Sequence, residues 1–166
     1  VIAGEQLLPD ASGACGVCVD PSRPGVEVSR YRIATADDID RAVDCAKADP
    51  DGWRSLTVNE RNTVLGRVAQ ELRRGRGDLM WAALANGGKV LAESDPEVSE
   101  AIDFVEFYRA AARSFYELEG VSVQPRGVVV VVPPWNFPIA IPCGGIAGAL
   151  AAGNTVILKP ASNTVL

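Results

Sequence analysis

A run of five consecutive valines at residues 128–132 constrains the fold of this chain more than any other feature. A strand that is apolar and β-branched at every position is typical of a parallel sheet covered on both faces. Pro133-Pro134 ends the run, and residues 139–152, rich in Ala, Gly and Ile, predict a buried helix that stops at Gly153-Asn154. Residues 155–159 then predict a second apolar strand. The pattern is a βαβ unit, for which a right-handed crossover is expected.

Two parallel strands do not make a stable sheet by themselves, because isolated pairs are marginal and an uncovered valine strand is an aggregation edge. We therefore expect an α/β chain that stops inside a larger doubly wound, Rossmann-like sheet, with Leu166 as a truncation point. We expect residues 1–120 to form a helical N-terminal segment and residues 121–166 to form the first βαβ unit of that sheet.

The N-terminal segment predicts one strand followed by helices. Alternating β-branched and aromatic residues over residues 26–33 indicate the strand. Thr35 with Asp38, and Thr57 with Glu60, have the spacing of capping boxes, which place the starts of the first two helices.

Two further helices are expected to begin at an aspartate. Asp78 predicts the start of a helix that ends at Gly87-Gly88. The sequence Asp95-Pro96-Glu97 supplies an N-cap, a proline at the first helical position and a first-turn acid, and so predicts the start of a long helix that Gly120 ends.

Composition excludes several chemistries. The chain has no histidine, so it contains no Ser-His-Asp triad, no Cys-His pair and no histidine-ligated metal. Its formal net charge of -5 argues against a nucleic-acid surface, which must neutralise phosphates. No apolar run reaches the roughly 20 residues of a membrane span, and no secretory signal is visible at the start, so we expect a cytoplasmic protein.

Cysteine spacing gives no strong site. Cys15 and Cys18 form a C-x-x-C pair, but no second pair follows at zinc-finger spacing, so incidental thiols are favoured over a redox or metal role. No metal site is predicted.

Polar groups at the ends of the two apolar strands are the candidate functional residues, because ligands of open α/β sheets bind at the carboxyl ends of the strands. Three prolines within residues 133–138 fix a loop that presents the side-chain amide of Asn136, either as a preorganised donor to an oxyanion or as a cap of the next helix. Lys159 ends the second strand, where it either binds a nucleotide ribose or phosphate or extends into solvent. The three glycines within residues 144–148 lie inside the helix and predict close helix–sheet packing rather than a phosphate loop.

Three motifs in this order resemble the core of the aldehyde dehydrogenase superfamily: Pro134-Trp135-Asn136-Phe137-Pro138, Gly153-Asn154-Thr155-Val156 and Lys159-Pro160-Ala161-Ser162. Gly87-Gly88-Lys89 is also similar to the family's N-terminal segment. Within the superfamily, residues 95–104 most resemble pyrroline-5-carboxylate (glutamate semialdehyde) dehydrogenases, including the dehydrogenase half of bifunctional proline-utilisation proteins.

The resemblance implies roles for particular residues. Asn136 is implied to donate its amide to the oxyanion that forms when a cysteine thiolate attacks the aldehyde, and Glu100 is implied to lie near the substrate, although a solvated helix carboxylate is an equal alternative. The residues implied to bind NAD are Val132, Pro134 and Trp135 on the nicotinamide side and Lys159, Pro160, Ala161 and Ser162 around the adenosine ribose. Family members that strictly prefer NAD usually have Glu at the position of Ser162, so NADP is also compatible.

The resemblance implies that residues 1–120 are the helical N-terminal segment of the cofactor-binding domain and that residues 121–166 are the first, incomplete βαβ unit of the dinucleotide-binding domain. It also implies that the catalytic domain is absent. The family's nucleophilic cysteine and its base glutamate lie beyond Leu166, and none of the four cysteines here lies in the nucleophile motif. We therefore expect a parent enzyme that oxidises glutamate semialdehyde to glutamate through a thiohemiacetal, hydride transfer and thioester hydrolysis, while residues 1–166 alone are inactive. The expected partners are the aldehyde, the rest of the parent chain and further copies of the parent. The segment between Tyr116 and Gly127 is shorter than the one in which other family members often have an oligomerisation hairpin. Another aldehyde substrate and a non-catalytic cofactor-binding or assembly module are the alternatives.

Overall fold

Helices form most of the regular structure in this computed structural model, which describes residues 1–9 and 13–165. The helices are α1 Ala36–Ala48, α2 Val58–Arg74, α3 Arg76–Gly87, α4 Leu91–Tyr116 and α5 Ala140–Ala151, with a short 3-10 helix at Trp53–Ser55. The strands are β1 Cys15–Val19, β2 Glu27–Arg32, β3 Val128–Val131 and β4 Thr155–Leu158. The α/β class expected from the sequence is confirmed.

The first two helices begin where their capping boxes predict. The Thr35 hydroxyl accepts a hydrogen bond from the Asp38 amide at 3.2 Å, and the Asp38 carboxylate accepts one from the Thr35 amide at 2.9 Å. Thr57 and Glu60 form the same reciprocal pair at the start of α2, at 3.2 Å and 2.7 Å. These contacts join residues three apart, so the local sequence is sufficient to place them.

The predicted starts of α3 and α4 were wrong. Helix α3 begins at Arg76 rather than after Asp78, because the Leu79 amide already donates to the Gly75 carbonyl at 3.0 Å. Helix α4 begins at Leu91, so Asp95 is not its N-cap and Pro96 lies inside it. A proline there removes one intrahelical hydrogen bond, and the helix still gains an additional first turn.

The predicted end of α4 was also too late. The helix stops at Tyr116, where the Glu117 amide donates to the Arg113 carbonyl, and Gly120 lies outside it with φ +71°.

The N-terminal strands form an antiparallel hairpin. Strand β2 confirms the strand predicted over residues 26–33, but β1 was not predicted, because its sequence carries Gly16 and little alternation. Gly16 is required by its neighbour: a Cβ atom there would lie 2.1 Å from the Tyr31 ring. Cys15 is exposed and Cys18 is buried, as expected for residues three apart on a strand, so this C-x-x-C does not form a facing pair of thiols.

Strands β3 and β4 pair in parallel with α5 between them, which confirms the predicted βαβ unit. Val131 pairs with Leu158, and the Lys159 amide donates to the Val131 carbonyl at 2.9 Å. Val132 and Lys159 therefore lie one residue beyond the ends of the two strands, side by side. The larger doubly wound sheet, and the division at residue 120, stay predictions.

Helices α2, α4 and α5 enclose the core, whose fully buried residues are Leu65, Ala69, Val98, Ile102, Val105, Ala147 and Ala151. Gly145 of α5 shows the close helix–sheet packing that was predicted for the three glycines, whereas Gly144 and Gly148 face helix α4 instead. A Cβ atom on Gly145 would lie 2.9 Å from Val131 of β3, and one on Gly144 would lie 3.0 Å from the Phe104 ring of α4. Among the described residues, no helix is long and apolar enough to cross a membrane.

A buried arginine lies at the C-terminal end of α5. Arg61 of α2 is 3% exposed, donates to the Leu56 carbonyl, and lies with its guanidinium carbon 5.3 Å from the centre of the Tyr116 ring. A Cβ atom on Gly153, just past the helix, would lie 3.3 Å from that carbon. Because a helix C-terminus carries a partial negative charge, Arg61 complements an end that has no basic residue of its own.

Candidate functional site

The connection between β3 and α5 projects polar and aromatic side chains into solvent. Trp135 is 55% exposed and Phe137 is 41% exposed, with Asn136 exposed between them. Prolines at positions 133, 134 and 138 restrict φ through the segment, so its backbone has few conformations to sample.

The N-terminal end of α5 is capped by a carboxylate from α4. Glu97 is 2% exposed, and its Oε1 accepts hydrogen bonds from the amides of Ile139 at 2.7 Å and Ala140 at 3.1 Å. The N-cap residue itself, Ile139, has no capping side chain, and the first turn contains no acid. Glu97 was predicted as a first-turn acid of its own helix, and that was wrong, because α4 starts six residues earlier and Glu97 serves a different helix.

Lys89 connects this cap to the loop. Its Nζ donates to Glu97 Oε2 at 2.6 Å and to the Asn136 carbonyl at 3.1 Å, and lies 4.1 Å from the centre of the Phe137 ring. The lysine side chain is 12% exposed and that of Glu97 is 1% exposed. A buried charge pair needs such additional hydrogen bonds to offset its desolvation, and here both ions have them.

Of the two alternatives for Asn136, the helix-cap one is not what the structure shows. The first amides of α5 are bound by Glu97, and the N-cap position is Ile139. The Asn136 side chain is thereby left exposed, with its backbone held through Lys89.

A cavity of about 480 Å³ opens beside this loop. Its lining combines the end of α3, the first turns of α4 and the loop itself: Gly87, Gly88, Lys89, Ala92, Glu93, Pro96, Trp135, Asn136 and Phe137. Such a cavity, with an amide, an ammonium and a carboxylate on an aromatic wall, has the polar and apolar mixture of a small-molecule site.

The segment after β4 is anchored by contacts to two other elements. The Cys18 thiol donates to the Ser162 carbonyl at 3.3 Å, and the Asn86 amide donates to the Asn163 carbonyl at 3.0 Å. Lys159 and Ser162 are both exposed, and Pro160 and Ala161 are half-buried between them.

The structure brings most of the predicted site residues together. Val132, Pro134, Trp135 and Asn136 share one loop, and the residues from Lys159 to Ser162 follow the adjacent strand end. Glu100 is separate: it is exposed on α4, one turn beyond Pro96, and it does not line the cavity.

None of the four cysteines lies on this loop, and the environment of Cys143 does not favour a nucleophilic thiolate. Burial raises the pKa of the half-buried Cys143 thiol to about 11, so it stays protonated at neutral pH, and it donates to the Ala101 carbonyl at 3.5 Å. Within residues 1–9 and 13–165, no cluster of three or more His, Cys, Asp or Glu residues could hold a metal ion.

Comparison with known proteins identifies the family. Residues 10–166 match the aldehyde dehydrogenase family. The chain belongs to this family. The motifs around Asn136 and Lys159 led us to expect this family.

Two curated relatives with different names match the chain at similar identity. The chain is 35% identical over 158 residues to the bifunctional protein PutA of Escherichia coli, covering 95% of this chain and 12% of PutA. It is 34% identical over 165 residues to the D-glyceraldehyde dehydrogenase (NADP⁺) of Thermoplasma acidophilum, covering 92% of this chain and 34% of that enzyme.

Among solved structures, a 1-pyrroline-5-carboxylate dehydrogenase from Thermus with bound NAD superposes with a TM-score of 0.89 at 32% identity. It is matched over 99% of this chain and 33% of its own length. The chain thus spans about a third or less of the relatives it matches.

The sequence did not point to Glu97 as part of the site. Lys89 stood in the motif Gly87-Gly88-Lys89, which was a usable signal. Glu97 carried none, because the amides that it caps lie 42 and 43 residues further along the chain.

Proposed function

We propose that the parent protein oxidises glutamate γ-semialdehyde, the open form of pyrroline-5-carboxylate, to glutamate with NAD as the oxidant. The observation that carries the proposal is the exposed Asn136 amide, presented at the cavity by a loop held from behind by Lys89. The likeness to the 1-pyrroline-5-carboxylate dehydrogenase from Thermus supports the choice of substrate.

Asn136 is the proposed oxyanion donor. When a thiolate attacks an aldehyde, negative charge develops on the carbonyl oxygen, and a preorganised N–H donor stabilises that charge more than a mobile one does. In this proposal the thiolate and the water-activating carboxylate come from parts of the parent beyond residue 166. The four cysteines of this chain take no part.

The strand ends suit a dinucleotide. Lys159 offers an exposed ammonium that forms no ion pair with the described residues, and it lies next to the exposed Val132. Trp135, three residues further along the same loop, is also exposed. The Lys159 ammonium suits hydroxyl-rich and phosphate groups, and the apolar surfaces of Val132 and Trp135 suit flat rings. When bound, the dinucleotide supplies the hydride acceptor, while Lys159, Pro160, Ala161 and Ser162 hold its ribose and Pro134 contributes to the nicotinamide side.

NADP is included in the proposal because Ser162 places no carboxylate beside the ribose. A carboxylate there would repel a 2′-phosphate. Rates of the full-length parent with NAD and NADP test this, and no activity with NADP would remove Ser162 as the reason.

A second candidate substrate is a sugar-derived aldehyde such as D-glyceraldehyde, since the identity to the enzyme that oxidises it, 34%, matches that to PutA, 35%. Steady-state kcat/KM of the full-length parent for glutamate semialdehyde against D-glyceraldehyde decides between them. We expect a preference for the semialdehyde, and a higher kcat/KM for D-glyceraldehyde would contradict our proposal. Residues 1–166 alone should produce no NADH with either aldehyde. Failure of the full-length parent to oxidise any aldehyde would instead favour a non-catalytic module.

The remaining parts of the proposal concern the whole protein. Val130 is 59% exposed and Leu158 is 43% exposed, which is unusual for strands this apolar and supports their placement in a larger doubly wound sheet. Glu100 as a substrate contact, a homo-oligomeric parent and a cytoplasmic location stay predictions.

A further inference from the structure

We propose that Glu97 is a positioning residue for the reaction, which fixes the loop carrying Asn136 through Lys89 and through the first turn of α5. This inference rests on the proposed function, because it assigns Glu97 a role exerted through the Asn136 amide.

Glu97 uses its two oxygens on two different elements. Oε1 binds the Ile139 and Ala140 amides, at the end of the loop, and Oε2 binds Lys89. With its side chain 1% exposed, the carboxylate has no water to replace either partner. Displacing the loop would leave a buried charge partly unpaired, which is strongly unfavourable, so the loop is restrained at this end.

Lys89 restrains the middle of the same loop. Its Nζ holds the carbonyl of Asn136 itself, at 3.1 Å, and contacts the ring of Phe137. Trp135 is 55% exposed and Phe137 is 41% exposed, so these rings bury only part of their surface. Prolines limit the internal shape of the loop, but its location relative to α4 depends on Glu97 and Lys89.

The location matters because a donor to a developing oxyanion must lie within a few tenths of an ångström of its productive position. A displacement of about 1 Å can cost about 100-fold in rate. Glu97 therefore affects turnover without touching the substrate.

A double-mutant cycle in the full-length parent tests this, using Glu97→Gln, Asn136→Ala and the combination, with pyrroline-5-carboxylate and NAD. Glutamine has only one acceptor oxygen and turns N–H donors toward Lys89 or α5. We expect Glu97→Gln to lower kcat by about 10- to 100-fold with KM for NAD changed by less than about 3-fold. In the Asn136→Ala background the further loss should be below about 3-fold, because the group being positioned is already gone.

Equal losses in both backgrounds would overturn the proposal, since a residue that only supports folding lowers activity whether or not Asn136 is present. Asp103→Asn, which removes an exposed carboxylate from the same helix, is the matched control and should leave kcat unchanged. Lys89→Arg should retain more activity than Lys89→Met, because arginine can still pair with Glu97.

Hydrogen exchange separates this proposal from the proposed function. In full-length Glu97→Gln, the amides of Ile139 and Ala140 should exchange at least about 10-fold faster than in Asp103→Asn, because the carboxylate that binds them is lost. Unchanged exchange would overturn the positioning role even if the enzyme is active. If Asn136→Ala alone leaves aldehyde oxidation unchanged, the proposed oxyanion role is wrong, and the catalytic part of this inference is overturned with it.

Discussion

Each end of helix α5 lies beside a buried charged side chain, and the two ends differ in what that side chain binds. At the N-terminal end, Glu97 caps the helix and, with Lys89, also binds the loop of Asn136 beside the cavity. At the C-terminal end, Arg61 contacts a backbone carbonyl and the Tyr116 ring, and neither belongs to the candidate site.

The helix itself has no charged residue in its first or last turn. A buried charge from a neighbouring helix therefore lies beside each end, but only Glu97 binds the α5 backbone. At the C-terminal end the Leu150 and Ala152 carbonyls accept hydrogen bonds from the Trp53 indole and the Tyr116 hydroxyl. Arg61 contributes to packing at the C-terminal end, whereas Glu97 positions the loop of the polar donor Asn136 at the N-terminal end. Changes at the N-terminal end should alter turnover, and changes at the C-terminal end should alter stability.

The largest effect is expected for Asn136→Ala. Loss of one oxyanion donor lowers kcat by about 100- to 1000-fold, whereas stability should change little because the side chain is exposed. Steady-state kinetics and thermal unfolding of the full-length parent measure the two quantities. Asn59→Ala, at an exposed position on α2, is the control. A similar kcat for the two variants would show that the Asn136 amide has no role in the reaction.

Arg61→Met should show the opposite profile. It loses the hydrogen bond to Leu56 and the contact with the α5 terminus, and this outweighs relief of the unsatisfied Arg61 Nε, so we expect about 2 kcal/mol of destabilisation. The measurement is urea unfolding, with Arg67→Met, at an exposed position on the same helix, as the control. A large fall in kcat per folded enzyme, without loss of stability, would mean that the two ends of α5 do not differ as described.

Two glycines of α5 should differ in how their replacement by alanine changes the free energy of unfolding. Gly145→Ala places a methyl group 2.9 Å from Val131, in the half of the helix that packs on β3, and overpacking should cost about 1–3 kcal/mol. Gly148→Ala meets Tyr108 at an ordinary 3.5 Å, and higher helix propensity should stabilise the protein by up to about 1 kcal/mol. Urea unfolding of both variants provides the test, and equal effects would show that the helix–strand distance is not limiting.

The effect with the narrowest range of conditions should come from the locally capped helix α1, because it is confined to low pH. Hydrogen bonds from the Thr35 amide and hydroxyl, helped by the Arg32 guanidinium, lower the pKa of Asp38 from 3.8 to about 2. Because the folded state lowers this pKa, the stabilisation is complete above about pH 4 and disappears as the pH falls toward 2. Asp38→Asn should reduce the dependence of unfolding free energy on pH in this range only, and an unchanged dependence would contradict the assignment.

Elements whose defining contacts are local were predictable from sequence. The capping boxes of α1 and α2 join residues three apart, and the βαβ unit follows from an apolar strand, a glycine-rich helix and a second apolar strand in succession. Asn136 could be singled out because the prolines around it are adjacent in the chain. The start of α4 could not, because Asp95-Pro96-Glu97 is a good helix start that the structure uses as helix interior.

By itself, then, the sequence determined the βαβ unit, the two capping boxes and the loop that carries Asn136. Only the tertiary structure decided that Glu97 faces α5 and Lys89 and that Arg61 lies at the opposite terminus. It also decided that the Asn136 side chain is exposed and does not cap α5. The physical reason is range. A hydrogen bond between residues three apart is encoded in a short motif. The Glu97 carboxylate instead binds the Ile139 amide, which lies 42 residues further along the chain and which only the fold brings to within 2.7 Å of it.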